Sequence, residues 1–135
     1  MNDNVVFMGI NAPRIHQAII AKLIYGLTDL YIKEQTGLFP YPETMIDESQ
    51  TSPAPDVMLV DPQTDLTRVI IEITHTQGVR KDIIKLQQLM SDYGVPEGFV
   101  YDYKLNVWYK FGPSKDVANS SWCDAVGRDL SAFLF

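Results

Sequence analysis

Apolar positions along the chain follow two different spacings. Ile15, Ala18, Ile19, Leu23, Leu27, Leu30 and Tyr31 recur three and four residues apart, which places them on one face of a helix and predicts that this face is buried. Asn11 is positioned to cap that helix, with Pro13 in its first turn where a missing N–H is tolerated. The helix should run to about Lys33 and be closed by Gly37. A second stripe, Ile83, Leu86, Leu89, Met90 and Tyr93, predicts another helix between Gly78 and Gly94. Elsewhere the apolar residues are continuous or alternate, as strands require. Val5 to Met8 reads as a short strand stopped by Gly9. Val57 to Val60, bounded by Pro55 and Pro62, reads as a buried central strand. A hairpin turn over Asp61 to Asp65 leads into the β-branched run Arg68 to Thr74. Gly98 to Tyr103 and Leu105 to Phe111 form a closing pair joined by a tight turn near Lys104. Leu38 to Met45 contains Pro40 and Pro42, so a strand there is irregular or at an edge. Ile46 to Pro55 is polar and reads as loop, while Asp129 to Phe135 reads as a last helical turn packed on the sheet. The resulting order is a strand, a helix, three strands, a helix and two strands. It predicts an α/β fold, a mixed sheet flanked by helices.

Composition narrows the class. With 135 residues, 46% hydrophobic and 21% charged, and no repeat, low-complexity tract or long linker, residues 1–135 are expected to form one domain with a single core. The lone cysteine, Cys123, excludes an intrachain disulfide and points to a reducing compartment. No apolar run approaches the ~20 residues of a membrane span. The start Met1-Asn2-Asp3-Asn4 lacks the basic residues and apolar stretch of a signal peptide. A soluble cytoplasmic protein with no membrane partner is therefore expected. The net charge of −6 provides no long-range attraction to nucleic acid. A polyanionic partner would have to be met by local cations or through metal ions. Two histidines and one cysteine, without Cys-x-x-Cys or His-x-x-x-His spacing, do not make a four-ligand zinc site. The absence of Gly-x-x-x-x-Gly-Lys and Gly-x-Gly-x-x-Gly leaves nucleotide cofactors without sequence support.

The chemically informative span is Pro55-Asp56, the strand Val57 to Val60, and Ile70-Ile71-Glu72-Ile73-Thr74. Asp56 and Glu72 lie sixteen residues apart, a hairpin's length, so they can meet at one edge of the sheet. A carboxylate inside an apolar strand is costly to bury without compensation. A divalent cation is a natural compensator. Two carboxylates and the backbone carbonyl of Ile73 supply the hard oxygen ligands that Mg²⁺ or Mn²⁺ takes, with water completing the shell. Such an ion can activate water and neutralise charge on a scissile phosphate.

This pattern resembles the PD-(D/E)XK nuclease superfamily, and more closely the Uma-type family of restriction-endonuclease-like proteins. The likeness runs over nearly the whole chain. It covers Arg14-Ile15-His16-Gln17, Pro55-Asp56, Glu72, Arg80-Lys81-Asp82, Gly94-Val95-Pro96-Glu97 and the terminal Asp129-Leu130 with Leu134-Phe135. The resemblance implies a restriction-endonuclease-like fold, a metal-dependent endonuclease activity on DNA, and Asp56 and Glu72 as metal ligands. The chain departs from the motif where a lysine is expected two residues after Glu72, for Thr74 stands there. The resemblance then assigns the cation to the second helix, with Lys85 first and Lys81, four residues earlier on the same stripe, in reserve. Lys85 follows Asp82 by three residues where the family pattern has four, a difference of about 100° around a helix. The family's early glutamate is also missing from the first helix, and His16 is the residue offered for its place as a further metal ligand.

Plainer readings stand beside these. Asp56 after a proline can simply serve a turn, and Glu72 can pair with Lys81 or Lys85. His16 can be a packing residue, His75 a solvent-facing one, and Arg80, Lys81 and Lys85 an ordinary solvated face. Cys123 lacks the sequence partner a thiol hydrolase needs. Two functional classes follow: a metal-dependent DNA phosphodiesterase, and a catalytically inactive protein of the same fold acting as a binding or dimerisation module. The aromatic closing strands would leave a bare edge, so a homodimer is expected.

Overall fold

The computed structural model describes residues 13–47, 53–112 and 117–135. The expected strand Val5 to Met8 and the Asn11 cap lie outside them. Helix α1 (Arg14–Ile32) begins directly after Pro13, whose extended backbone stands at its N-cap. Its buried residues are Ile19, Ile20, Leu23, Leu27 and Leu30. Ile15 and Ala18, expected on the buried face, are exposed. The reason is local: the first turn directs His16 inward, and neighbouring residues on a helix are about 100° apart. Turning His16 toward the sheet turns Ile15 away from it and brings Ile20, one turn later, into the core.

Among the described residues six strands follow as one sheet in chain order: β1 (Phe39–Pro42), β2 (Val57–Asp61), β3 (Leu66–Thr74), β4 (Glu97–Asp102), β5 (Val107–Phe111) and β6 (Val117–Ala118). Only β3 and β4 are parallel within it, and the chain between them forms a 3₁₀ turn and helix α2 (Val79–Tyr93). A parallel pair needs such a crossover. The remaining neighbours are antiparallel, with the Pro-containing β1 at an edge as expected. α2 stops at Gly94, whose left-handed backbone (φ 64°) suits a residue without a Cβ.

The period of two along β3 divides the core. Val69, Ile71 and Ile73 join Leu23, Leu27 and Phe99 beneath α1. Ile70 faces the other way, with Leu86, Leu89, Met90, Val100 and Phe111 beneath α2. Glu72 shares the parity of Ile70, so the fold aims an acid at α2.

The chain end contributes more than the one helical turn expected. A two-stranded hairpin, β7 (Trp122–Cys123) with β8 (Arg128–Asp129), precedes a 3₁₀ turn over Leu130–Phe133. The two-residue strand β6 pairs with Lys110 and Phe111. Segments this short carry no periodicity, which is why the sequence did not reveal them. Phe133 packs onto α1 at Gly26, where an added Cβ would clash with its ring. Gly26→Ala is expected to lower stability by about 1–3 kcal/mol through overpacking. Chemical denaturation would measure it, and an unchanged midpoint would mean that the terminal turn does not rest on α1.

Candidate functional site

Asp56 immediately precedes β2, and the register Val57↔Ile71 carries it alongside Glu72 of β3. Asp56 Oδ2 accepts a hydrogen bond from the Ile73 backbone N–H at 2.8 Å. The same oxygen lies 3.3 Å from His16 Nε2, on the first turn of α1. One carboxylate thus joins the strand ends to the helix on the opposite face.

Glu72 is only 1% exposed. Lys85, on α2, donates to its Oε1 at 3.1 Å and to the Ala54 carbonyl at 2.8 Å. Lys85 therefore ties Glu72 to the segment that carries Asp56. The three-residue spacing from Asp82 does not keep Lys85 from this position, because its four-carbon stem absorbs the angular offset. Lys81 and Arg80 are exposed, as is His75. Thr74, which occupies the expected lysine position, is buried, and its hydroxyl donates to the His75 carbonyl at 3.2 Å. Thus α2, and not β3, places a lysine beside Glu72.

Electrostatics in the cluster are strained. Burial is the main cause holding the Glu72 carboxyl well above its ordinary range; Asp56 pushes the same way, and Lys85 opposes both. Glu72 Oε2 is buried with no hydrogen-bond partner among the described residues. The hydrogen bond to Asp56 raises His16 above its ordinary value, although burial acts against it, and His16 Nδ1 is also buried without a partner among the described residues. Both shifts make the folded chain bind more protons than the unfolded chain, so stability falls as pH rises. The Glu72 contribution is full below the ordinary glutamate range and is lost as pH climbs through its raised value. That of His16 is full below the ordinary imidazole value and is lost as pH climbs through its raised one. Thermal melts in chelator should show a falling melting temperature as pH increases from the acid side of neutrality, and Glu72→Gln should flatten the slope. A melting temperature that instead rises over this range would contradict the placement of both groups.

Hard oxygen donors and an unsatisfied buried carboxylate oxygen suit a divalent cation. Asp56 and Glu72 could hold it, with the Ile73 carbonyl and water supplying neutral ligands. Among the described residues no group of three or more His, Cys, Asp or Glu side chains is disposed to hold a metal ion. Backbone and solvent oxygens would thus have to supplement the two carboxylates.

The other buried acids have structural partners. Asp102, on β4 next to Thr74, accepts from Thr76 Oγ1 at 2.9 Å and from the Lys104 backbone at 3.0 Å, fixing the β4–β5 turn. Glu97 accepts from the backbone N–H groups of Asp124 and Ala125 at 2.7 and 3.1 Å and pairs with Lys110 at 3.1 Å, anchoring the β7–β8 hairpin. Cys123 is buried beside Glu97, and burial above all pushes its thiol up to about 12. It is poorly suited to nucleophilic chemistry. No described helix is long and apolar enough to cross a membrane.

No protein-family model matches the sequence, and no curated protein matches it. The structure is similar to the crystal structure of a protein from Anabaena variabilis described as a putative nuclease belonging to DUF820. The TM-score is 0.65 at 15% sequence identity, over 92% of this chain and 84% of that one. At this identity the likeness is one of fold, and it agrees with the restriction-endonuclease-like α/β architecture expected from the sequence.

Proposed function

We propose that the chain is a metal-dependent phosphodiesterase that cuts DNA, with Asp56 and Glu72 as metal ligands and Lys85 as the catalytic cation. The observation that carries this reading is the buried Glu72, one oxygen held by Lys85 at 3.1 Å and the other without a partner among the described residues, in the electrostatic reach of Asp56. Burying Glu72 beside the half-buried Asp56 works against folding unless positive charge offsets it, an arrangement more readily explained by a ligand than by structure.

Mg²⁺ or Mn²⁺ bound there would supply Lewis acidity toward a phosphate oxygen and toward the attacking water. The protein's own groups do the rest. The Ile73 N–H and His16 fix the Asp56 carboxylate. Lys85 places its ammonium group beside Glu72, where it can orient water and stabilise the extra negative charge of phosphodiester displacement. Lys81 remains available on the outer surface of α2 and is not the cation held at Glu72. His16 serves Asp56 as a positioning partner, or as a ligand should its Nε2 release that contact.

The homodimer expectation rested on a bare β5 edge. That edge is partly covered within the chain, for β6 pairs with Lys110 and Phe111 and Asn119 Nδ2 donates to the Trp108 carbonyl at 3.1 Å. A two-fold pair on that side would have to form through β6 or the uncovered part of β5, and a lone copy would be expected to nick one strand at a time. The test of the whole reading is conversion of supercoiled plasmid to open circles in Mg²⁺ or Mn²⁺ and its suppression by chelator. An intact plasmid under both metals would favour the inactive binding-module reading.

A further inference from the structure

The basic residues are distributed unevenly around the carboxylate pair. Lys33, Lys85 and Lys110 are committed to acids, Arg128 bonds Gln35, and Lys22 bonds the Phe135 carbonyl oxygen. Arg14, Arg80, Lys81 and Lys104 have no ion pair among the described residues and lie outside the core. The topology gathers these four at one end of the sheet. Arg14 opens α1 two residues before His16, which touches Asp56. Arg80 and Lys81 lie in the first turn of α2, which follows the end of β3 and leads to Lys85 one turn later. Lys104 lies in the β4–β5 turn, which is bonded to the end of β3 through Tyr103 N–H to the Thr74 carbonyl at 3.0 Å. By contrast Arg68, also without an ion pair among the described residues, lies toward the start of β3, away from the site.

We propose that Arg14, Arg80, Lys81 and Lys104 form a phosphate-binding rim on which a DNA backbone lies as it crosses Asp56 and Glu72. The inference rests on the nuclease reading for its choice of polyanion. Its physical basis is separate: four unneutralised cations reach the same sheet end from α1, α2 and the β4–β5 turn in a protein of net charge −6. A merely solvated set of cations in an acidic chain has no reason to converge there. The arrangement also brackets the site. Arg14 stands on the α1 side and the α2 pair on the other, so a strand contacting both passes over the carboxylates.

Fluorescence anisotropy of a labelled DNA duplex, titrated with the full chain in EDTA, reads the rim independently of metal binding and cleavage. Four phosphate contacts predict a slope of log affinity against log salt of roughly −3.6. Arg80→Ser with Lys104→Ser should remove about half of that slope and weaken binding at least tenfold at low salt, whereas Arg68→Ser should change neither. Equal losses in both variants, no loss in either, or no binding by the parent chain would overturn the rim. Binding that follows the prediction in a chain that never nicks plasmid would keep the rim and remove the nuclease reading. Nicking with a rim-independent salt slope would do the reverse.

Discussion

Asp56→Asn is expected to abolish both divalent cation binding and plasmid nicking while leaving the chain folded. An amide in place of the carboxylate can still accept the Ile73 N–H, which is the contact that joins it to β3. It provides neither the charge nor the second anionic oxygen that a hard cation requires. Glu72→Gln should have the same functional result for the same reason. In the metal-free chain it should also raise stability at neutral and higher pH, because it removes the cost of ionising a buried carboxyl that is held well above its ordinary range. Calorimetric titration with Mn²⁺ on each variant would separate the two effects. Full binding by both variants would remove these acids from the metal site and leave the burial of Glu72 without a functional explanation.

Lys85→Ala should reduce nicking by about 10²- to 10³-fold, the size of loss usually seen when one charge-stabilising donor is removed from a reacting centre. Metal binding should persist, because Asp56 and Glu72 remain. The structural consequence must be considered beside the chemical one. Removing one member of a buried ion pair costs roughly 3–5 kcal/mol when the remaining charge stays ionised. Glu72 is positioned to take up a proton instead, which limits that loss. Lys85→Ala with Glu72→Gln should recover much of the stability without recovering activity, whereas Lys81→Ala should leave the Glu72 environment unchanged. A Lys85→Ala protein that nicks at the parent rate would remove the lysine from the reaction. Loss from Lys81→Ala equal to that from Lys85→Ala would point to diffuse surface charge.

Most of the sheet was legible because its central strands carry strong local signals. Val57 to Val60 is continuously apolar and Arg68 to Thr74 is β-branched, while the two stripes of three- and four-residue spacing correspond to α1 and α2. Asp56 and Glu72 could be brought together from sequence because a hairpin between them leaves little freedom in register. The position of Lys85 was harder to read, since its contact with Glu72 depends on how α2 lies across β3 and on a flexible side chain. Counting around an ideal helix suggested a misalignment that the stem of the lysine removes. His16 was named as a substitute metal ligand, but its contact with Asp56 and the matching outward turn of Ile15 depend on how α1 packs. The strands β6 to β8 escaped because two-residue pairs are fixed by tertiary hydrogen bonds rather than by any pattern of their own.

The central claim is that one divalent cation belongs between Asp56 and Glu72. The most direct measurement is anomalous diffraction from a crystal of the full chain soaked in Mn²⁺. The expected result is a peak within coordination distance of oxygens from both carboxylates, about 2.0–2.3 Å for a small hard cation, beside a retained Lys85. Full-occupancy manganese elsewhere on the protein, with the space between Asp56 and Glu72 empty, would contradict the account.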